Sequence, residues 1–131
     1  MGKKIKILYV DQEIYNLNAF KANFRTNYEI FLCQSESEGL KILKFNQIHV
    51  VITDQKMPSL IGIEFFKAFK SNYPEPVKIV VTAQRDIEVI KYAARSGLIF
   101  RYHEKPWSLE KLKDTIEHAY KAYAEDDCIC K

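Results

Sequence analysis

Two hydrophobic patterns alternate along the chain. Short runs that are apolar almost throughout are separated by longer segments in which apolar residues recur every three or four positions. Lys4–Val10, Glu29–Cys33, Ile48–Thr53, Val77–Thr82 and Leu98–Tyr102 are of the first kind, which predicts strands buried on both faces. Gln12–Asn27 places Ile14, Leu17, Phe20 and Phe24 at helical spacing. Ser35 with Glu38 forms a capping box for a helix running to Phe45. Gly62–Asn72 predicts a helix that stops ahead of Pro74 and Pro76. Asp86–Ser96 predicts another, with Gly97 as its C-cap. Ser108 caps a last helix that carries Leu109, Leu112, Ile116, Ala119 and Tyr123 on one face.

Five strand–helix units of this kind predict an α/β fold, a doubly wound parallel sheet covered by helices on both sides. In such folds the functional crevice lies at the carboxyl ends of the strands, near the point where strand order reverses. Those ends carry Asp11 after strand one, Asp54 after strand three, Thr82 at the close of strand four and Lys105 after strand five. In the strand order 2-1-3-4-5 these four strands are neighbours. Two acids, a hydroxyl and an ammonium then converge at one edge.

At 131 residues the chain is long enough for one domain with a real core. We expect that domain to span residues 1–124, with 125–131 as a C-terminal tail. The 20 basic and 17 acidic residues are interspersed, and the net charge is only +3. That argues against nucleic acid as the main partner. Cys33, Cys128 and Cys130 show neither a disulfide framework nor metal-ligand spacing, so a reducing cytoplasm is the default. "MGKKIKILYV" opens like a signal peptide, but Asp11 ends its apolar run too early. No run approaches membrane-spanning length, and no membrane contact is expected.

Two carboxylates that face each other repel unless positive charge lies between them. A hard cation with oxygen ligands answers this, and Mg²⁺ suits a site that also admits phosphate. A carboxylate can also accept a phosphoryl group as an acyl phosphate. That transfer depends more on neutralising the phosphoryl oxygens than on a base.

With "VDQE", "ITDQKMP", "VVTAQ" and "EKPW" in this order and spacing, essentially the whole chain resembles the receiver domain of bacterial two-component response regulators. The resemblance implies a flavodoxin-like (βα)5 fold and phosphorylation on Asp54 by a histidine kinase, a phosphotransfer protein or a small phosphodonor. It places Asp11, Asp54 and the backbone carbonyl of Lys56 around Mg²⁺. Thr82 would hydrogen-bond the phosphoryl group and Lys105 would pair with it. Lys105–Pro106 would be a cis peptide. Tyr102 would swing inward as Thr82 moves, altering the surface of the Asp86–Ser96 helix, the fifth strand and the last helix, including Arg101. Lys56 and Gln84 would tune phosphoryl lifetime. Downstream, an output domain or a separate protein would read that surface. The domain would catalyse only its own phosphorylation and dephosphorylation, so it would not be an enzyme in the metabolic sense.

One position departs from the pattern. Receivers usually carry two consecutive acids after strand one, and here the second is Gln12. An amide oxygen can ligate Mg²⁺ without a full charge, so the resemblance implies weaker Mg²⁺ binding. Gln12 also motivates an alternative, a pseudo-receiver that acts as a phosphorylation-independent interaction module. A flavin mononucleotide carrier would want a Ser/Thr/Gly-rich loop where "VDQEIYN" stands. A phosphatase with an aspartate nucleophile would want a further acid and a cap domain. Taken singly, Asp11 and Asp54 read as helix or turn caps. Trp107 reads as a packing residue, Phe65, Phe66 and Phe69 as core, and His49, His103 and His118 as structural or solvated.

Overall fold

A computed structural model describes residues 4–54, 76–82, 87–97 and 99–129. Five strands, β1 (Lys6–Val10), β2 (Glu29–Cys33), β3 (Val50–Asp54), β4 (Val77–Thr82) and β5 (Arg101–Glu104), form one sheet. All pairings are parallel, as the pattern predicts, and the order is β2-β1-β3-β4-β5, the order expected of the fold. The described helices are α1 (Ile14–Phe24), α2 (Glu36–Phe45), Ile87–Arg95 and Leu109–Ile129. The expected Gly62–Asn72 helix, with Phe65, Phe66 and Phe69, lies outside the described residues.

Alternation along each strand divides the core between the two faces of the sheet. Ile7 and Tyr9 of β1 join Leu17, Phe20, Phe24, Ile52, Ile79, Leu112 and Ile116 on the side covered by α1 and the C-terminal helix. Leu8 and Val10 face the other side, with Leu43, Val51, Val80, Ile90 and Ile99. Every residue of β3 is buried, as a central strand between two helical layers requires.

Local signals read in the sequence are realised. The Ser35 hydroxyl accepts from the Glu38 amide at 3.3 Å and caps α2. The Ser108 hydroxyl accepts from the Lys111 amide at 3.4 Å. Gly97 sits at φ +84°, a left-handed conformation that favours glycine, and it ends the Ile87–Arg95 helix. The C-terminal helix continues to Ile129, past the boundary drawn at residue 124.

The fifth strand is displaced from its predicted place. It begins at Arg101, not Leu98, and ends at Glu104. Its first ladder bond is donated by the Phe100 amide to the Lys78 carbonyl at 2.7 Å. Ile99 fills the core beside Ala93 and Ile90. The apolar residue there reflects packing and not strand pairing. As an edge strand bonded only to β4, β5 tolerates the polar run "RYHE".

His49 is structural, as expected. It is buried, its Nδ1 accepts from the Lys6 amide at 2.9 Å, and its ring meets Tyr120 and Tyr123 edge-on. His103 Nε2 lies 2.8 Å from Thr115 Oγ1. Burial, then the charges of Arg101 and Lys111, lower its pKa below the ordinary histidine value. Burial raises the Cys33 thiol to about 12, with Glu38 adding to the shift, so this cysteine is not a ready nucleophile. Among the described residues, no helix is long and apolar enough to cross a membrane.

Candidate functional site

β1 and β3 are adjacent in space while β2 lies on the far side of β1, so strand order reverses between them. Val10 pairs with Thr53, which sets Asp11 and Asp54 side by side at the carboxyl ends. β4 pairs with β3 through Asp54 and Val81, which brings Thr82 to the same edge. The Lys105 amide then donates to the Thr82 carbonyl at 2.7 Å and fixes where β5 delivers its lysine. The Lys105–Pro106 peptide is cis, as expected.

Lys105 joins the two acids. Its Nζ lies 3.0 Å from Asp54 Oδ2 and 3.5 Å from Asp11 Oδ2. The Asp11 side chain is fully buried and that of Asp54 is 9% exposed, whereas 21% of the Lys105 side chain reaches solvent. A bridging ammonium between two buried carboxylates supplies the positive charge that their proximity demands. Thr82 is buried beside them.

Asp11 also holds the turn that leads into α1. Its Oδ1 accepts from the Glu13 amide at 2.9 Å, which satisfies a donor at the start of α1. Its Oδ2 accepts from the Asn16 side-chain amide at 3.0 Å. Asp11 thus makes its turn contact through Oδ1 and its contacts with Asn16 and Lys105 through Oδ2. Gln12 is exposed, and its carbonyl accepts from Gln34 Nε2 at 2.9 Å. Among the described residues, no group of three or more His, Cys, Asp or Glu side chains gathers as a metal cluster would. The two carboxylates that do meet are hard oxygen donors, which fits a divalent cation such as Mg²⁺ held with less charge than three acids provide. Lys56 and Gln84 lie outside the described residues.

Tyr102 is half-buried and packs against the core face that holds Val80, Ile90 and Ile99. Arg101 is exposed, stacks over Phe100 at 5.0 Å and approaches His118 Nδ1 at 3.5 Å. His118 lies 3.8 Å from Asp114 on the exposed helix surface.

Sequence reading missed Tyr9 and Asn16, and it gave Trp107 only half its place. Trp107 packs against Phe20 and Phe24, with centroids 6.1 and 6.0 Å away, as expected of a packing residue. With Asn16, Lys105 and Pro106 it also lines a cavity of about 410 Å³ beside the acids. Asn16 had one local signal, since asparagine is a poor helix former yet sits in the first turn of α1. Tyr9 lies beneath the site, and its hydroxyl has no hydrogen-bond partner among the described residues. Burial first, then the nearby Asp11 charge, raise its pKa above the ordinary tyrosine range. The nearby Trp107 indole partly opposes that rise.

An orphaned buried hydroxyl costs about 1–3 kcal/mol. Tyr9→Phe removes it without changing the ring, whose centroid lies 4.5 Å from that of Phe20 in a tilted contact. We expect this variant to melt about 4 °C higher for each kcal/mol regained in a chain of this size. An unchanged or lower melting temperature would show that the hydroxyl has a partner in solution.

Residues 7–117 match the model of the response regulator receiver domain family. A probable chemotaxis protein CheY from Rhizobium etli is 32% identical, with 93% of this chain and 97% of that protein covered. The hydrogenase transcriptional regulatory protein HoxA of Cupriavidus necator is 31% identical over 92% of this chain. The chain spans only about a quarter of that regulator and of its Bradyrhizobium diazoefficiens counterpart, 25% and 24% respectively. A response regulator receiver domain from Clostridium thermocellum superposes with a TM-score of 0.83 at 32% identity, covering 90% of this chain and 95% of its own. The chain belongs to the response regulator receiver domain family of two-component signalling. Within that family it is a receiver that carries Gln12 directly after Asp11.

Proposed function

We propose that Asp54 is the phosphoacceptor of this receiver, taking a phosphoryl group from a histidine kinase, a phosphotransfer protein or a small phosphodonor. The observation that carries this reading is the Lys105 ammonium set between Asp54 and Asp11, at 3.0 and 3.5 Å. An Asp54 oxygen attacks phosphorus. The donor's bond to phosphorus breaks, and its electron pair leaves with the donor group. Lys105 shifts from the carboxylates toward the phosphoryl oxygens, and the Thr82 hydroxyl donates to one of them. Asp11, Asp54 and the Lys56 carbonyl would hold Mg²⁺, weakly because Gln12 brings no charge. When bound, Mg²⁺ supplies positive charge to the transferring phosphoryl oxygens. Attack of water on phosphorus later releases phosphate and restores the Asp54 carboxylate, at a rate tuned by Lys56 and Gln84.

Movement of Thr82 toward the phosphoryl group opens space along β4, and Tyr102 turns further inward from its half-buried position. The surface of the Ile87–Arg95 helix, β5 and the C-terminal helix is then read by an output domain or a downstream protein. Cytoplasmic placement follows from the kinase partner. The domain acts only on itself. Apart from that phosphotransfer, it works by contact with other proteins and needs neither nucleic acid nor membrane.

A second reading rests on the exposed Gln12 and on only two acids meeting among the described residues. It makes the chain a pseudo-receiver, an interaction module that does not respond to phosphate. Acetyl phosphate or phosphoramidate with Mg²⁺, followed by intact-mass measurement, separates the two. We expect one added phosphoryl group on the parent chain and none on Asp54→Asn. No adduct at saturating Mg²⁺, or one that persists in Asp54→Asn, would falsify the phosphoacceptor reading.

A further inference from the structure

We propose that Asn16 is a positioning residue for the cation pocket and that it compensates in part for the acid missing at Gln12. This inference rests on the Mg²⁺ site just described. Among the described residues, three donors hold the buried Asp11 carboxylate: the Glu13 amide on Oδ1 at 2.9 Å, Asn16 Nδ2 on Oδ2 at 3.0 Å, and Lys105 Nζ on Oδ2 at 3.5 Å. They are not equivalent. Lys105 is charged, shared with Asp54, and is the group that an arriving cation or phosphoryl group displaces. The Glu13 amide is bound to the backbone at the start of α1.

Once Lys105 has moved, Asn16 is, among the described residues, the side chain that fixes the rotation of the Asp11 carboxylate. Being neutral, it orients the acid without cancelling its charge, so the full negative charge stays available to a cation. Groups that orient a ligand in this way shift metal affinity by about 10–100-fold when removed. The demand is greater here than in a pocket with two acids on the same loop, because Gln12 is exposed and Asp11 is the acid that β1 presents.

Asn16 shares its cavity with Lys105, Pro106 and Trp107. The chain's single tryptophan therefore lies where occupation of the pocket changes its surroundings. Mg²⁺ titrations of the full chain, followed by Trp107 fluorescence and by calorimetry, test the inference on the parent, Asn16→Ala and Asn16→Gln. Thermal melts without Mg²⁺ run beside them. We expect Asn16→Ala to raise the Mg²⁺ dissociation constant about tenfold while its metal-free melting temperature stays near the parent value. Asn16→Gln, which keeps the amide on a longer arm, is expected to fall between the two.

Equal Mg²⁺ affinity in the parent and Asn16→Ala overturns the inference alone and leaves the phosphoacceptor reading in place. Loss of metal-free stability in both variants, with Asn16→Gln no better than Asn16→Ala, overturns it in favour of a structural role. A parent chain that binds no Mg²⁺ overturns it together with the cation part of the proposed function.

Discussion

Lys105→Met is expected to lower the melting temperature of the metal-free protein by about 7 °C and to slow phosphoryl incorporation by about 10²–10³-fold. The stability effect comes from what is left behind. Asp11 is fully buried and Asp54 nearly so, and both lose the ammonium that lies within 3.5 Å of each. Removing one partner of a fully buried ion pair costs about 3–5 kcal/mol. Lys105 is partly solvated, so we discount the figure to about 2 kcal/mol. Methionine keeps most of the apolar stem, which separates loss of charge from loss of packing. Mg²⁺ should return part of the lost stability, since a cation held by the same acids replaces the missing charge. The rate effect would arise because the phosphoryl oxygens then lack the Lys105 ammonium that would neutralise their charge. Melting curves with and without Mg²⁺, and single-turnover mass measurements with acetyl phosphate, check both claims. An unchanged metal-free melting temperature would mean that solvent already neutralises the two acids without Lys105.

Gln12→Asp is expected to tighten Mg²⁺ binding by about one to two decades and to lower metal-free stability. A charge about 4 Å from a divalent ion is worth several kcal/mol at an effective dielectric near 20, before desolvation is subtracted. Position 12 is exposed, so screening and hydration remove much of that. Without Mg²⁺, the variant sets a third carboxylate beside two that share one lysine, and like charges repel. The two effects have opposite signs and are read in one experiment. The variant should melt below the parent in chelator, and the melting gain on adding Mg²⁺ should be larger, as tighter binding to the folded state requires. A dissociation constant equal to the parent's would show that the side chain at position 12 faces away from the cation.

Much of the scaffold was legible in the chain. β2 and β4 have the bounds that their apolar runs predict, and the other strands except β5 lie within about two residues. Ser35, Ser108 and Gly97 end or begin helices through local hydrogen bonds and backbone conformation, and such signals need no tertiary context. β5 was misplaced because Ile99 is apolar for a different reason, core packing ahead of the strand. The polar run Arg101–Glu104 could pair only because it lies at the sheet edge, and edge position is a property of the assembled sheet.

The same division runs through the site. The sequence by itself determined that Asp11, Asp54 and Thr82 end their strands, because a switch from a continuous to a helical apolar period marks the end of a strand wherever it occurs, whereas Lys105 was legible only from the run "EKPW", since the polar β5 carries no such signal. It also determined that Gln12 stands where a second acid was expected. Only the tertiary structure decided that Lys105 bridges the two acids, that Asn16 holds Asp11, and that the Tyr9 hydroxyl below them has no partner among the described residues. Strand ends follow from neighbours a few residues apart. A contact between residues 94 positions apart, such as Asp11 with Lys105, follows from strand order and register, which the whole sheet settles together.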